Sequence, residues 1–219
     1  MRELITPDWP IAQKKYEILA LQEFLKNEKL ERIIEIGTWN GATALLWAMI
    51  VSKYPQGKLY CCDLSFYYGQ FYSALTNKTY DKLMYKDTVY EGCIVELQGN
   101  THDTAYVDHV HKIVGSPVDF LFIDGDHTYE GVKADFINFK DLVKTGGYIA
   151  FHDILDTPVH RSNGCYVAKF WDEIKATGID FWEFVDNNEY LCYGSPNPSR
   201  SMGIGVIRIG YPPAPRVVK

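Results

Sequence analysis

The 219-residue chain is short of several things that would define it quickly. It has no basic excess: 22 Lys and Arg stand against 28 Asp and Glu, a formal net charge of −6. A chain without a positive field is not expected to bind nucleic acid or an anionic membrane surface. It has no long hydrophobic run. The longest, residues 42–51, is interrupted by Thr43 and falls well below the ~20 apolar residues a membrane helix needs. The first residues, Met1-Arg2-Glu3-Leu4-Ile5, lead into no apolar core of the signal-peptide kind, so none is expected. Cysteine is sparse: Cys61, Cys62, Cys93, Cys165 and Cys192, an odd number with two adjacent and no CxxC pair. That argues against a disulfide framework or a thiolate zinc site and predicts free thiols in a reducing cytoplasm. Neither a GxGxxG nor a GK[ST] phosphate loop occurs.

What is present is ordinary for a globular chain, with 47% hydrophobic and 23% charged residues. Its length suits one domain, and no linker or repeat divides it. Short β-branched and aromatic runs at 32–37, 58–63, 94–97, 118–124, 148–153, 181–185 and 203–209 predict seven strands. Helical patterns fall at 11–26, 41–51, 104–113, 129–143 and 167–176, with Gly146-Gly147 expected to stop the fourth. Residues 64–90 predict a loop plus a helix. Strands alternating with helices imply βαβ units and a mostly parallel sheet, with ligands bound beyond the carboxyl ends of its strands. Those ends carry Gly37, Asp63, Asp124, His152 and Asp153, so acids and histidines gather on one edge.

The first strand runs into Glu35-Ile36-Gly37-Thr38-Trp39-Asn40-Gly41-Ala42-Thr43. Gly37 permits a tight turn, and Gly41 lets a backbone or ligand come close. A loop without phosphate-cradling glycines suits a nucleoside that carries no phosphate. Asp63, ending the next strand, can accept both ribose hydroxyls. S-adenosylmethionine, an adenosyl ligand with an amino-acid tail, fits both features.

These residues resemble a known family. EIGTWNGAT resembles motif I of class I S-adenosylmethionine-dependent methyltransferases. FIDGDHTYEGVKADF, followed by GGYIAFHDI and GCYVAKFWDEIK, resembles more narrowly the subfamily of cephalosporin-hydroxylase-like proteins and metal-dependent sugar O-methyltransferases of macrolide biosynthesis. The likeness runs from about residue 30 to 176. It implies a Rossmann-like, seven-stranded, mostly parallel sheet with helices on both faces and an antiparallel last strand. It implies that Glu35, Gly37, Thr38, Gly41 and Thr43 hold the methionine end of the cofactor, with Asp124 near its ammonium and Asp63 on the ribose. Asn100 would line the adenine. The whole chain then reads as a single methyltransferase domain, with an N-terminal helical part (1–29), a Tyr-rich insertion or lid (64–92) and a Pro-rich tail (211–219).

In metal-dependent relatives the positions of Asp124, His152 and Asp153 chelate a divalent cation, usually magnesium. Imidazole at position 152 suits manganese, iron or zinc better. His127 stands where sugar-methylating relatives carry a general base, and Asp126 is a candidate to orient it. The alternatives for His127 are a helix cap or a pair with Asp126. His102, His109 and His111 read as surface or loop residues; His160 and Arg161 lie in a loop that could grip a substrate. The resemblance implies transfer of a methyl group to a hydroxyl of a small molecule, a sugar or natural product. The alternatives are a metal-dependent hydrolase and a cofactor-binding accessory protein without methyl transfer. The first helix and the tail are candidates for contacts between copies.

One compositional feature is unusual: 15% of residues are aromatic. Phe66, Tyr67, Tyr68, Phe71, Tyr72, Tyr80, Tyr85 and Tyr90 crowd one segment, either packing on the core as a helix or forming a lid. In the second case Tyr67, Tyr68 and Tyr72 are expected to contact the acceptor.

Overall fold

The structure, a computed structural model, describes residues 13–66, 71–73, 78–80, 82–187, 190–191, 198–199 and 202–210. Of 71–73, 78–80, 190–191 and 198–199 only the backbone is described. Tyr67, Tyr68, Cys192 and the tail from 211 lie outside this set, as does the side chain of Tyr72.

The strands are β1 Arg32–Ile36, β2 Lys58–Asp63, β3 Phe71–Ser73, β4 Lys78–Tyr80, β5 Ile94–Gln98, β6 Val118–Ile123, β7 Val143–His152, β8 Phe181–Phe184, β9 Tyr190–Leu191, β10 Pro198–Ser199 and β11 Ile204–Arg208. The helices are α1 Lys15–Leu25, α2 Ala42–Val51, α3 Thr104–Val114, α4 Tyr129–Phe139, α5 Pro158–Ser162 and α6 Val167–Ala176. Seven strands form one sheet in the order β5-β2-β1-β6-β7-β11-β8. The first five are parallel, and β11 runs antiparallel to both β7 and β8. These are the seven strands read from the sequence, in the Rossmann-like, mostly parallel arrangement expected of it.

Alternation along the strands builds the two faces. Ile33, Leu59, Phe120, Phe122 and Ala150 turn toward α1 and α2, where Trp47 packs its ring 5.2 Å from Phe120 and 5.5 Å from Phe122. Ile34, Ile36, Leu121, Ile123, Ile149 and Phe151 turn toward α3, α4 and α6. Both faces are covered, so the central strands β1 and β6 are largely apolar and α2 is buried along nearly all its length. No helix among the described residues is long and apolar enough to cross a membrane.

The fourth helix departs from expectation. It ends at Phe139, a 3-10 turn follows over Lys140–Leu142, and the strand has begun by Val143. Gly146-Gly147 therefore lies inside β7, where the register with β6 shifts between Val118 and Phe120. A Cβ on Gly147 would sit 2.8 Å from the Asp119 carbonyl oxygen, so glycine here serves a bulge against the neighbouring strand. The expected helix in 64–90 is also overturned among the described residues. A short hairpin, β3 with β4, is followed by turns. The aromatic and β-branched residues of Phe71-Tyr72-Ser73 and Lys78-Thr79-Tyr80 favour extended pairing. The core reading survives for two rings, since Phe66 and Tyr85 are buried against the α2 face.

Candidate functional site

The chain reverses direction across the sheet between β1 and β6. β2 and β5 lie on one side of β1, and β6 and β7 on the other. Crossover loops diverge at such a point and leave a crevice at the strand ends. A cleft of about 1130 Å³ opens there. Of the residues singled out in the sequence, Gly37, Thr38, Thr43, Asp63, Asn100, Asp124, His127, His152 and Asp153 line it.

The loop after β1 is shaped by backbone contact. Gly37 has φ +82°, and a Cβ there would lie 2.0 Å from the Asp124 carbonyl oxygen. Only glycine lets the β1 and β6 ends approach this closely. Asp63 Oδ2 accepts the Thr38 and Trp39 amides at 2.8 and 2.9 Å, and Oδ1 accepts the Ser65 amide at 3.1 Å. The carboxylate therefore fastens the loop while facing the cleft. Asn100 Oδ1 accepts the His102 amide at 3.0 Å and shapes the loop after β5.

Two expected cofactor residues stand elsewhere. Gly41 is off the cleft lining. Its φ is +76°, and a Cβ there would lie 2.7 Å from the Tyr85 ring, so the close approach it allows is Tyr85's. Glu35 is fully buried beneath the loop. Burial pushes its carboxyl up to about 8, with Asp124 and Asp63 adding to the rise and the Thr38 and Trp47 side chains opposing it.

The far side of the cleft is a chain of acids and imidazoles. Asp124 Oδ1 lies 3.0 Å from His152 Nδ1, His152 Nδ1 lies 3.6 Å from Asp153 Oδ1, and Asp153 Oδ2 lies 3.2 Å from His127 Nδ1. Asp153 has φ +64°, a left-handed conformation that turns it back toward the histidines. Burial pushes His152 down, but the charges of Asp124 and Asp153, with the Asp124 hydrogen bond, outweigh it and hold the imidazole up to about 10. Burial also opposes ionisation of Asp153, yet the charge of His152 and the hydrogen bond from His127 hold its carboxyl well below the usual range. The hydrogen bond to Asp153 holds His127 up to about 8 against its desolvation. Ligand atoms of Asp124, His152 and Asp153 lie within 4.8 Å of one another, a spacing that can hold a metal ion. His127, Asp153 and Cys165 form a second such group.

Several expected roles move. Asp126 does not orient His127. Its Oδ1 accepts the Thr128 amide at 2.9 Å, and Thr128, not His127, caps α4. His160 is off the cleft lining and braced by backbone: its Nδ1–H donates to the Leu155 carbonyl at 2.6 Å, and the Met202 amide donates to Nε2 at 3.0 Å. It stands behind Asp153, with Nε2 3.3 Å from Oδ1. Arg161 pairs with Asp156 at 2.6 Å, also off the lining. Gln13, Trp39, Leu64 and His102 line the cleft without having been singled out. His102 is exposed on a turn, as expected of a surface or loop residue, and its ring lies 3.3 Å from the fully buried Asp135.

A doubly wound sheet with this cleft at its switch point defines a Rossmann-like enzyme of the nucleoside-cofactor class. Within that class, a methyltransferase domain model matches residues 34–154, more than half of the chain. The chain belongs to this family, and with it to the S-adenosylmethionine-dependent methyltransferases. It is similar to the solved O-methyltransferase TomG from Streptomyces achromogenes, involved in tomaymycin synthesis and in complex with S-adenosylmethionine, at 15% identity and TM-score 0.60 over 94% of this chain and 85% of that one. An O-methyltransferase from Bacillus cereus in complex with S-adenosylhomocysteine aligns at 17% identity and TM-score 0.56 over 89% and 82%. The methyltransferase MycE of mycinamycin biosynthesis, with magnesium, S-adenosylhomocysteine and mycinamycin VI, aligns at 17% identity and TM-score 0.50 over 89% of this chain and 50% of that one. At these identities the likeness carries the fold. No curated protein matches.

Proposed function

We propose that the protein transfers a methyl group from S-adenosylmethionine to a hydroxyl oxygen of a small molecule, a sugar or another natural product. The observation that carries this reading is the pair His127–Asp153, 3.2 Å apart, on the cleft that also holds the glycine loop and Asp63. The sulfonium supplies the reactivity, so the protein's task is to align oxygen, methyl and sulfur and to remove one proton. His127 takes the hydroxyl proton on its ring, and Asp153 stabilises the imidazolium that results. The side chain of His127 is 46% exposed, which leaves it open to an acceptor from solvent, whereas Asp153 is largely shielded.

Asp124, His152 and Asp153 fit a divalent cation. Their ligand atoms converge, and the buried His152 Nε2 has no hydrogen-bond partner. A mixed carboxylate–imidazole set suits magnesium less well than manganese, iron or zinc. When bound, the cation lowers the pKa of the acceptor hydroxyl. Tyr67, Tyr68 and Tyr72 belong to the segment that follows Asp63, and we assign acceptor recognition to it. The reading takes the chain as one domain acting in the cytoplasm on a small molecule, without nucleic acid or membrane.

The test is methyl transfer from isotopically labelled S-adenosylmethionine to a panel of hydroxylated sugars and polyketides. Label should appear as an ether in at least one class. Label on nitrogen or carbon, or on no acceptor although the donor binds, would overturn the proposal.

A further inference from the structure

The strongest feature outside the expected residues lies just before α1. Gln13 is only 5% exposed although it is polar and precedes the first helix. Both ends of its amide are engaged across the fold. Nε2 donates to Asp124 Oδ2 at 2.5 Å, and Oε1 accepts the Thr43 hydroxyl at 2.8 Å. It lines the cleft beside both partners. One side chain thus links the start of α2 to the end of β6.

The placement is fixed from the other side of α1. Glu17 is 1% exposed, and its two oxygens accept the Asp186 and Gly203 amides at 2.9 and 3.0 Å. The neighbouring Lys14 donates to the Asp186 carbonyl at 3.3 Å. The segment is therefore clipped to the chain ends of β8 and β11, which hold Gln13 over the strand edge.

We propose that Gln13 is a positioning residue for the amino-acid end of the cofactor, acting through Asp124 and Thr43. Asp124 has two carboxylate oxygens: His152 faces Oδ1 and Gln13 holds Oδ2. With a donor on each oxygen the carboxylate cannot swing about its Cβ–Cγ bond, and its charge stays aimed into the cleft. The same amide orients the Thr43 hydroxyl by accepting its hydrogen. An α-amino acid tail carries an ammonium, which needs a fixed anion and can also donate to a fixed hydroxyl oxygen; with its hydrogen given to Gln13, Thr43 presents only acceptor lone pairs, as Asp124 does. The nucleoside end meets Asp63 and the loop after β5, none of which Gln13 touches. This inference rests on reading the cleft as the donor site with the tail toward Asp124.

Two ligands separate the ends: S-adenosylhomocysteine has the tail, and 5′-methylthioadenosine lacks it. Both are titrated calorimetrically into the full-length protein, its Gln13→Ala variant and its nearly isosteric Gln13→Glu variant. Gln13→Ala should weaken S-adenosylhomocysteine about tenfold and leave 5′-methylthioadenosine within about twofold. Gln13→Glu, which sets a second carboxylate against Asp124, should weaken S-adenosylhomocysteine further. Equal affinities in all three proteins would overturn the proposal while leaving the donor site standing. Equal losses for both ligands would also overturn it, marking Gln13 as a support of the fold alone. A wild-type protein that binds neither ligand would remove the donor site and the proposal together.

Discussion

Burial of Glu35 makes a measurable demand on the fold. The residue sits one place before the end of β1 at 0% exposure, with Cys61 Sγ 3.9 Å from Oε2 and no hydrogen-bond partner for Oε1. Burial raises its carboxyl from 4.5 to about 8. The folded protein therefore keeps a proton that the unfolded chain gives up between those values. Where the unfolded state binds fewer protons, stability falls as pH rises, and it levels off once both states are ionised. At about 1.4 kcal/mol per pH unit, the cost reaches roughly 3 kcal/mol at neutral pH and roughly 5 kcal/mol above about pH 8, as ceilings before structural relaxation. Glu35→Gln keeps the shape and removes the charge. The variant should match the wild type near pH 5, exceed it increasingly up to about pH 8, and keep a constant margin beyond. At ~2–4 °C per kcal/mol for a domain of this size, the difference in Tm should reach on the order of 10 °C. Thermal melts of both ligand-free proteins across that range give the curve directly. A difference that does not vary with pH, or one that favours the wild type as pH rises, would refute the argument.

Other consequences concern the loop, the base and the metal. Gly37→Ala should cost far more stability than Gly178→Ala. Both have positive φ, but a Cβ meets the Asp124 backbone at 2.0 Å in the first and nothing within 4 Å in the second. The Gly178 change should lose only the ~1–2 kcal/mol of a left-handed residue, and equal losses in Tm would contradict the close approach. His127→Ala should lower turnover of an identified acceptor by about 10²-fold or more, the usual contribution of a general base, while S-adenosylhomocysteine affinity stays within about twofold; unchanged turnover would remove the assigned base. EDTA should abolish activity and one added divalent cation restore it, and indifference to EDTA would count against the metal.

Much of the fold was legible because the strands around the switch point are short, largely apolar runs that lead to a glycine or an acid. β1 at Gly37, β2 at Asp63 and β6 at Asp124 put their chemistry on one edge without any knowledge of the tertiary structure. What escaped depends on distant partners. Gly146-Gly147 resembles a helix stop in isolation, but contact with the Asp119 carbonyl makes it a strand bulge. Gly41 resembles a ligand-contact glycine until Tyr85 occupies its open side. Gln13 reaches Asp124 from 111 positions away, and its one local hint is a polar residue ahead of an amphipathic helix. Asp126 and Asp153 both bear on the His127 neighbourhood, and only the left-handed turn at Asp153 decides between them.

The central claim is that the cleft at the β1–β6 switch point is the cofactor site. Isothermal titration of the wild-type protein with S-adenosylhomocysteine tests it most directly. The account predicts saturable one-to-one binding in the micromolar range. No heat at high micromolar ligand, with the protein shown to be folded, would contradict it.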